Sequence, residues 1–96
     1  MEYLIIAYDG KDAQAKRRRL AAREAHLAKA KALKASGNFV CGGALLDENG
    51  DMIGSTLYMD FASREDLDNW IQSDPYTTGG VWVTVEVKPI RLAFRE

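Results

Sequence analysis

The sequence is poor in the residues that mark several functional classes. It holds one cysteine, Cys41, in 96 residues. No internal disulfide can form, and without a CxxC or Cys/His cluster there is no metal-binding signature. Cys41 itself reads as a small apolar strand residue. Thirteen basic residues against fourteen acidic leave a net charge of −1, without the basic surplus that a nucleic-acid binder carries on one face. The run Lys16-Arg17-Arg18-Arg19 is the exception, but a helix spreads it around its cylinder and makes Lys16, Arg17 and Arg18 solvated surface. No apolar run approaches the length of a membrane span. The start, Met1-Glu2-Tyr3-Leu4, lacks a basic segment before an apolar one, so no signal peptide is expected and a cytoplasmic protein is the simplest inference. GxSxG, phosphate-loop and paired-glutamate motifs are missing too, which leaves hydrolase and nucleotide readings without support. The length suits a single domain over residues 1–96, with a moderate core that self-association would help to cover.

What is present is a regular alternation of elements. Tyr3 to Tyr8 is a short β-branched, aromatic and apolar run ended by Asp9-Gly10, a strand covered on both faces or nearly so. From Asp12, a fair N-cap, to about Ser36 the chain is rich in Ala, Lys, Arg and Leu without Gly or Pro, which predicts a long helix. Gly37 then stands where a left-handed C-cap belongs. Phe39 to Leu46 is a second strand, and its Gly42-Gly43 pair implies a bulge or a close approach by a ligand or another backbone. Asn49-Gly50 signals a two-residue hairpin turn. Met52 to Phe61 returns as a third strand, with Ile53, Ser55, Leu57, Met59 and Phe61 on one face. Ser63 caps a second helix, with Asp66 in the capping-box position, and Asp74-Pro75-Tyr76 ends it. Val81 to Lys88 alternates cleanly, with the valines on one face and Trp82, Thr84, Glu86 and Lys88 on the other.

The order β-α-β-β-α-β is that of a ferredoxin-like α+β sandwich, in which two helices cover one face of a four-stranded antiparallel sheet. The other face, carrying Trp82 and Thr84, is too apolar to stay wet. A second copy packed sheet to sheet would cover it, so a homodimer is expected. The tail Ile90-Arg91-Leu92-Ala93-Phe94 is apolar enough to reach across to that partner.

The first helix carries the lead for function. At about 100° per residue, Leu20, Leu27, Ala30 and Leu33 fall within an arc of roughly 140° that should face the core. Arg19, Arg23 and His26, the chain's one histidine, fall in the same arc. Buried charge is costly unless paired, so these residues call for an acidic partner or a polar cavity. His26 is the natural proton carrier. Arg23 lies on the adjacent turn, and Arg19, one turn further back, has a planar fork suited to a carboxylate or enolate. Asp74 has two readings, a turn residue before proline or a buried carboxylate that orients His26 and holds its tautomer. Ser55 likewise is either a small polar strand residue or a hydrogen-bonding group for a ligand.

The segment Arg19-Leu20-Ala21-Ala22-Arg23-Glu24-Ala25-His26-Leu27 resembles the arginine- and histidine-bearing helix of the YciI-like (YCII-related) proteins. The resemblance continues through Gly37, Gly42-Gly43, Gly54-Ser55, Ser63 and Ser73-Asp74-Pro75-Tyr76, and ends in Val87-Lys88-Pro89. It implies a dimeric α/β barrel built from ferredoxin-like subunits. It also implies an active site around a histidine and an aspartate, matching His26 and Asp74, with arginine and serine positions matching Arg19 or Arg23 and Ser55. The family includes a dehydrochlorinase acting on chlorinated hydroxyquinols, and muconolactone isomerases share the wider superfamily. The chain departs from the pattern at Gly42-Gly43-Ala44, beside the implied site, where relatives often carry Gly-Pro.

Together these observations favour a small acid–base enzyme that needs no metal or cofactor. His26 and Asp74 would be its catalytic pair, and Arg19, Arg23, Ser55 and Gly43 would line the substrate site for a small anionic or phenolic molecule. The alternative is a non-catalytic dimeric module that binds a small molecule or serves as an accessory subunit.

Overall fold

A computed structural model describes residues 1–95. Its elements are β1 (Glu2–Asp9), α1 (Ala15–Ala35), β2 (Phe39–Leu46), β3 (Met52–Asp60), α2 (Arg64–Ser73), α3 (Pro75–Thr78) and β4 (Trp82–Ile90). The strands form one sheet in the order β2-β3-β1-β4, with each neighbouring pair antiparallel. This is the ferredoxin-like α+β sandwich.

Strand alternation decides where the core lies. Tyr3, Ile5 and Ala7 of β1 are buried beside their β3 partners Met59, Leu57 and Ser55. With Leu67 and Trp70 of α2, Tyr76 of α3, Phe61, Val81 and Trp82, they form one hydrophobic cluster, against which Ala22 and Leu33 of α1 pack. The opposite face of the sheet carries Leu4, Ile6 and Tyr8, whose partners are Tyr58, Thr56 and Gly54 on β3 and Lys88, Glu86 and Thr84 on β4.

Trp82 departs from the expected face. Thr84 lies opposite Tyr8 but Trp82 opposite Asp9, so Val83 is an extra residue in β4. Such a bulge reverses the alternation on one side of it. Trp82 therefore turns onto the covered face, where it is buried, and Val83 is left 60% exposed.

The long helix differs from expectation in its roll. Its buried residues are Ala15, Arg19 and His26, whereas Leu20 and Leu27 are 64% and 46% exposed. Relative to the leucine-centred arc, α1 is turned by roughly 60° about its axis. The physical reason is that Arg19 and His26 both find buried acidic partners, described below, and a paired polar group tolerates burial. Arg23 lies on the exposed flank.

Smaller corrections concern turns. Asp12 precedes the N-cap, Gln14, and instead accepts hydrogen bonds from the Gln14 amide and the Arg18 guanidinium. The connection from β2 to β3 is a loop of residues 47–51, longer than a two-residue turn, in which the Asp47 side chain accepts from the amides of Asn49 and Asp51. Only Gly50 there has a positive φ, at 83°. Gly50 and Asp51 border a depression beside Arg19 and Leu20, and Lys16 bridges to Asp51. A short helix, α3, follows where the sequence indicates only a stop; Asp74 caps it and Pro75 begins it, a position where proline's missing amide costs nothing. Cys41 is exposed on the edge strand β2. Among the described residues no helix is long and apolar enough to cross a membrane.

The C-terminal tail turns back on its own first strand. The Leu92 amide donates to Glu2, and Arg95 bridges Glu2 and Asp60 at 2.9 and 2.6 Å. Phe94 remains 96% exposed. The Leu92 amide holds Glu2 below its ordinary 4.5, and Arg95 holds Asp60 below 3.8. Both folded values are depressed, so the clasp is intact above the ordinary values and is lost as pH falls through the depressed ones. Amide exchange at Leu92 checks this. Protection should persist above pH 4.5 and be lost as pH falls below the ordinary carboxylate range; protection that survives at the acid end would mean that apolar contacts hold the tail.

Candidate active site

The site is built where α1 crosses the junction of α2 and α3. The Ser63 hydroxyl caps α2 through the Asp66 amide, and the helix ends at Asp74, whose extended backbone suits a residue before proline. Asp74 is 1% exposed. Its Oδ2 accepts from the Tyr76 amide at 3.0 Å and from Nδ1 of His26 at 2.7 Å. A carboxylate only accepts, so this contact puts the imidazole proton on Nδ1 and leaves Nε2 as the free nitrogen. No described residue hydrogen-bonds Nε2, and it is not sealed from the exterior.

Arg19 and His26 stand two turns apart on one face of α1, about 10.5 Å along the axis. The ring of Tyr76 occupies that gap. It stacks on His26 with centroids 3.8 Å apart and planes 10° from parallel, and the Arg19 guanidinium carbon lies 4.7 Å from its centre. Ala22, on the same helix face, carries only a methyl group, and α3 approaches so closely that a Cβ added at Gly79 would meet that methyl at 3.4 Å. Trp82 sits edge-on to both His26 and Tyr76.

Arg19 is engaged on its other side. Its Nη1 donates to both carboxylate oxygens of Asp9 at 2.9 Å, and its Nη2 donates to Ser55 Oγ at 3.2 Å. Arg19 and Asp9 side chains are only 5% and 6% exposed, so its charge is met inside the protein. Trp82 Nε1 donates to the same Ser55 oxygen at 3.1 Å. Two incoming donors occupy both lone pairs of Ser55, which leaves its own O–H to donate elsewhere.

A cavity of about 220 Å³ opens between α1 and the β2–β3 edge, lined by Arg23, His26, Gly43, Ser55 and Tyr76 among polar and backbone groups, with Leu27, Phe39 and Leu57 as apolar walls. Its volume is below the roughly 300–1,000 Å³ of sites for drug-sized ligands, so it suits a molecule of about one ring. Arg23 has no ion pair among the described residues, and Gly43 borders the cavity with open space at its Cβ position. Gly42 has a different role: an added Cβ would come within van der Waals overlap of the Thr56 carbonyl, so the two strands approach too closely for any side chain. No group of three His, Cys, Asp or Glu side chains among the described residues is arranged to hold a metal.

Of the residues expected at the site, His26, Asp74, Arg19, Arg23, Ser55 and Gly43 all border the cavity or contact a residue that does. Three others went unread. Asp9 looked like a turn residue, yet it shares the odd-numbered parity of Tyr3, Ile5 and Ala7, and Arg19 needed an acid. In the sequence Tyr76 reads as part of a helix stop, and the alternation around Trp82 points to the opposite face.

The fold and this site define a class: a ferredoxin-like domain with a histidine–carboxylate pair at a small cavity. The YCII-related domain family matches residues 1–91, and the chain belongs to that family. It is 36% identical to Protein YciI of Escherichia coli O6:H1 (strain CFT073) over 98% of this chain and 100% of that one. It is 37% identical to an uncharacterised protein of Haemophilus influenzae with the same coverage. Among solved structures, it is similar to the 5-chloro-2-hydroxyhydroquinone dehydrochlorinase from Burkholderia phenoliruptrix AC1100, in complex with 2,5-dihydroxybenzoquinone. That match has a TM-score of 0.82 and 28% identity, over 95% of this chain and 94% of that one. Rv0793 from Mycobacterium tuberculosis shares the fold at 18% identity and a TM-score of 0.61, over 98% and 100% of the two chains.

Asp9→Asn leaves the Arg19 charge buried without a counterion and should destabilise the protein by about 3 kcal/mol. Trp82→Phe removes one of the two donors to Ser55 and should cost about 1 kcal/mol. Urea denaturation of the two variants checks the order. Equal effects would mean that the ion pair carries no more than an ordinary hydrogen bond.

Proposed function

We propose that the protein is a small acid–base enzyme, a cytoplasmic homodimer, acting on a small anionic or phenolic molecule. The observation that carries this reading is the 2.7 Å contact of His26 Nδ1 with Asp74, which leaves Nε2 unpartnered at a lined cavity. Nε2 takes a proton from the substrate's acidic O–H or C–H, and Asp74 holds the tautomer and stabilises the imidazolium that forms. The electron pair left behind becomes an enolate or phenolate. The Ser55 O–H donates to it, and Arg23 supplies the opposite charge at the cavity wall. Arg19 acts at one remove, by fixing Ser55, because Asp9 already meets its charge. The enolate then takes the proton back at another carbon, which completes an isomerisation; where that carbon carries chlorine, loss of a second hydroxyl proton expels chloride, so that HCl leaves in total in a dehydrochlorination. The similarity to the dehydrochlorinase supports hydroxyquinols as the first substrates to try, and 2,5-dihydroxybenzoquinone as a binding probe.

Turnover of chlorinated hydroxyquinols, followed by chloride release, tests the chemistry. His26→Asn should remain folded, since Asn fits a polar cavity, and should lose at least about 100-fold in rate, since an amide carries no proton near neutral pH. Asp74→Asn should keep most binding and lose rate by loosening the imidazole. Wild-type turnover by His26→Asn would sink the acid–base reading and favour the binding module.

The dimer would use the uncovered sheet face, where Leu4, Ile6, Tyr8, Thr56 and Tyr58 sit together with Thr84. Tyr8 is 47% exposed there. Light scattering at micromolar concentration should give twice the chain mass, and Ile6→Lys should halve it. A clean monomer in the parent protein would overturn the barrel arrangement.

A further inference from the structure

Tyr76 is held more tightly than a residue with only a packing role needs to be. His26 and Arg19 both pack on its ring from two turns of α1, so the ring is held in place by the helix. The residue is 1% exposed, yet it lines the cavity. Its O–H makes no hydrogen bond to any described residue and is not among the sealed polar atoms, so the little surface Tyr76 keeps includes that oxygen. Arg19 Nε, Trp70 Nε1 and Thr77 Oγ1 also lack partners, but all three are sealed from the exterior. A buried phenol without a partner is costly, and the one place where this phenol can find one is the cavity.

We propose that the Tyr76 hydroxyl is a substrate-binding group, donating a hydrogen bond to the oxygen on which negative charge gathers when His26 Nε2 takes a proton. The proposal rests on the acid–base reading above and narrows its substrate. Ser55 and Tyr76 each have one O–H to give, and Arg23 brings a charge without an acceptor. Three donors and one base suit a compact, planar molecule with an acidic hydroxyl next to a second oxygen, an enol or hydroxyquinone more than a simple carboxylic acid. Burial lifts the phenol above its ordinary 10.0 despite the nearby arginines, so the group stays protonated and acts as a donor throughout the neutral range.

Tyr76→Phe tests this, because it keeps the ring in its slot and deletes only the hydroxyl. The probe is 2,5-dihydroxybenzoquinone, titrated calorimetrically into the parent protein, Tyr76→Phe and His26→Asn. Tyr76→Phe should melt within about 2 °C of the parent, since no contact within the protein is lost, and should bind roughly tenfold more weakly. His26→Asn should still bind. Unchanged affinity in Tyr76→Phe overturns the proposal and leaves the His26 chemistry standing. A melting point lower by several degrees also overturns it, because the hydroxyl would then be bonded within the protein. Failure of the parent protein to bind the probe overturns this assignment together with the hydroxyquinone class. Binding that only His26→Asn abolishes overturns it in favour of recognition by the imidazole alone.

Discussion

Asp9 and Arg19 meet inside the protein, a carboxylate at the end of β1 and a guanidinium on the helix that crosses it. An amphipathic helix on a sheet has a shallow preference for one roll angle; a buried charge with a single partner has a steep one. The pair therefore decides which stripe of α1 faces inward. It leaves Leu20 and Leu27 outside and brings His26, two turns on, to Asp74. Replacing such a pair with apolar residues is often neutral or favourable for stability, so its presence here is better understood as a means of placing neighbours. Through Arg19 it fixes Ser55 on one side and the Tyr76 ring on the other.

Asp74 performs the corresponding task at the other end of the site. One oxygen both caps α3, through the Tyr76 amide, and holds His26. The turn that stops α2 is thus the same turn that delivers the carboxylate, and proline at the next position sets it without an unmet amide. The imidazole, the tyrosine ring and the tryptophan then pack against one another with plane angles near 10°, 72° and 79°. Those contacts leave the histidine little freedom beyond the exchange of its protons.

Much of this was legible in the order of residues. The glycine-free alanine- and lysine-rich run, the Ser63 cap and the strand alternation each report local physics, and they give the element order and the ferredoxin-like class. What escaped was decided by tertiary contacts. A bulge at Val83 inverts the side on which Trp82 lies, and nothing in Val81-Trp82-Val83-Thr84 announces an extra residue. The roll of α1 followed its ion pairs where the leucines had pointed elsewhere. Asn49-Gly50 was outweighed by Asp47, whose side chain closes a longer loop. Asp9 could have been found, since strand parity placed it on the covered face. Tyr76 could not, because its slot exists only once α1 and α3 meet.

The loop of residues 47–51 has a consequence for the assembly of the molecule. It divides the chain into two β-α-β halves, and the sheet order interleaves them, so that β1 lies between two strands of the second half. Asp9, Arg19, Arg23 and His26 come from the first half; Ser55, Asp74, Tyr76 and Trp82 come from the second. Neither half carries both His26 and Asp74, or the Asp9–Arg19 ion pair together with Ser55. A nick in that exposed hairpin would leave two fragments whose complementary strand edges favour reassociation, with the site restored only in their complex. The cavity is in this sense a seam, whole only when the two halves have joined.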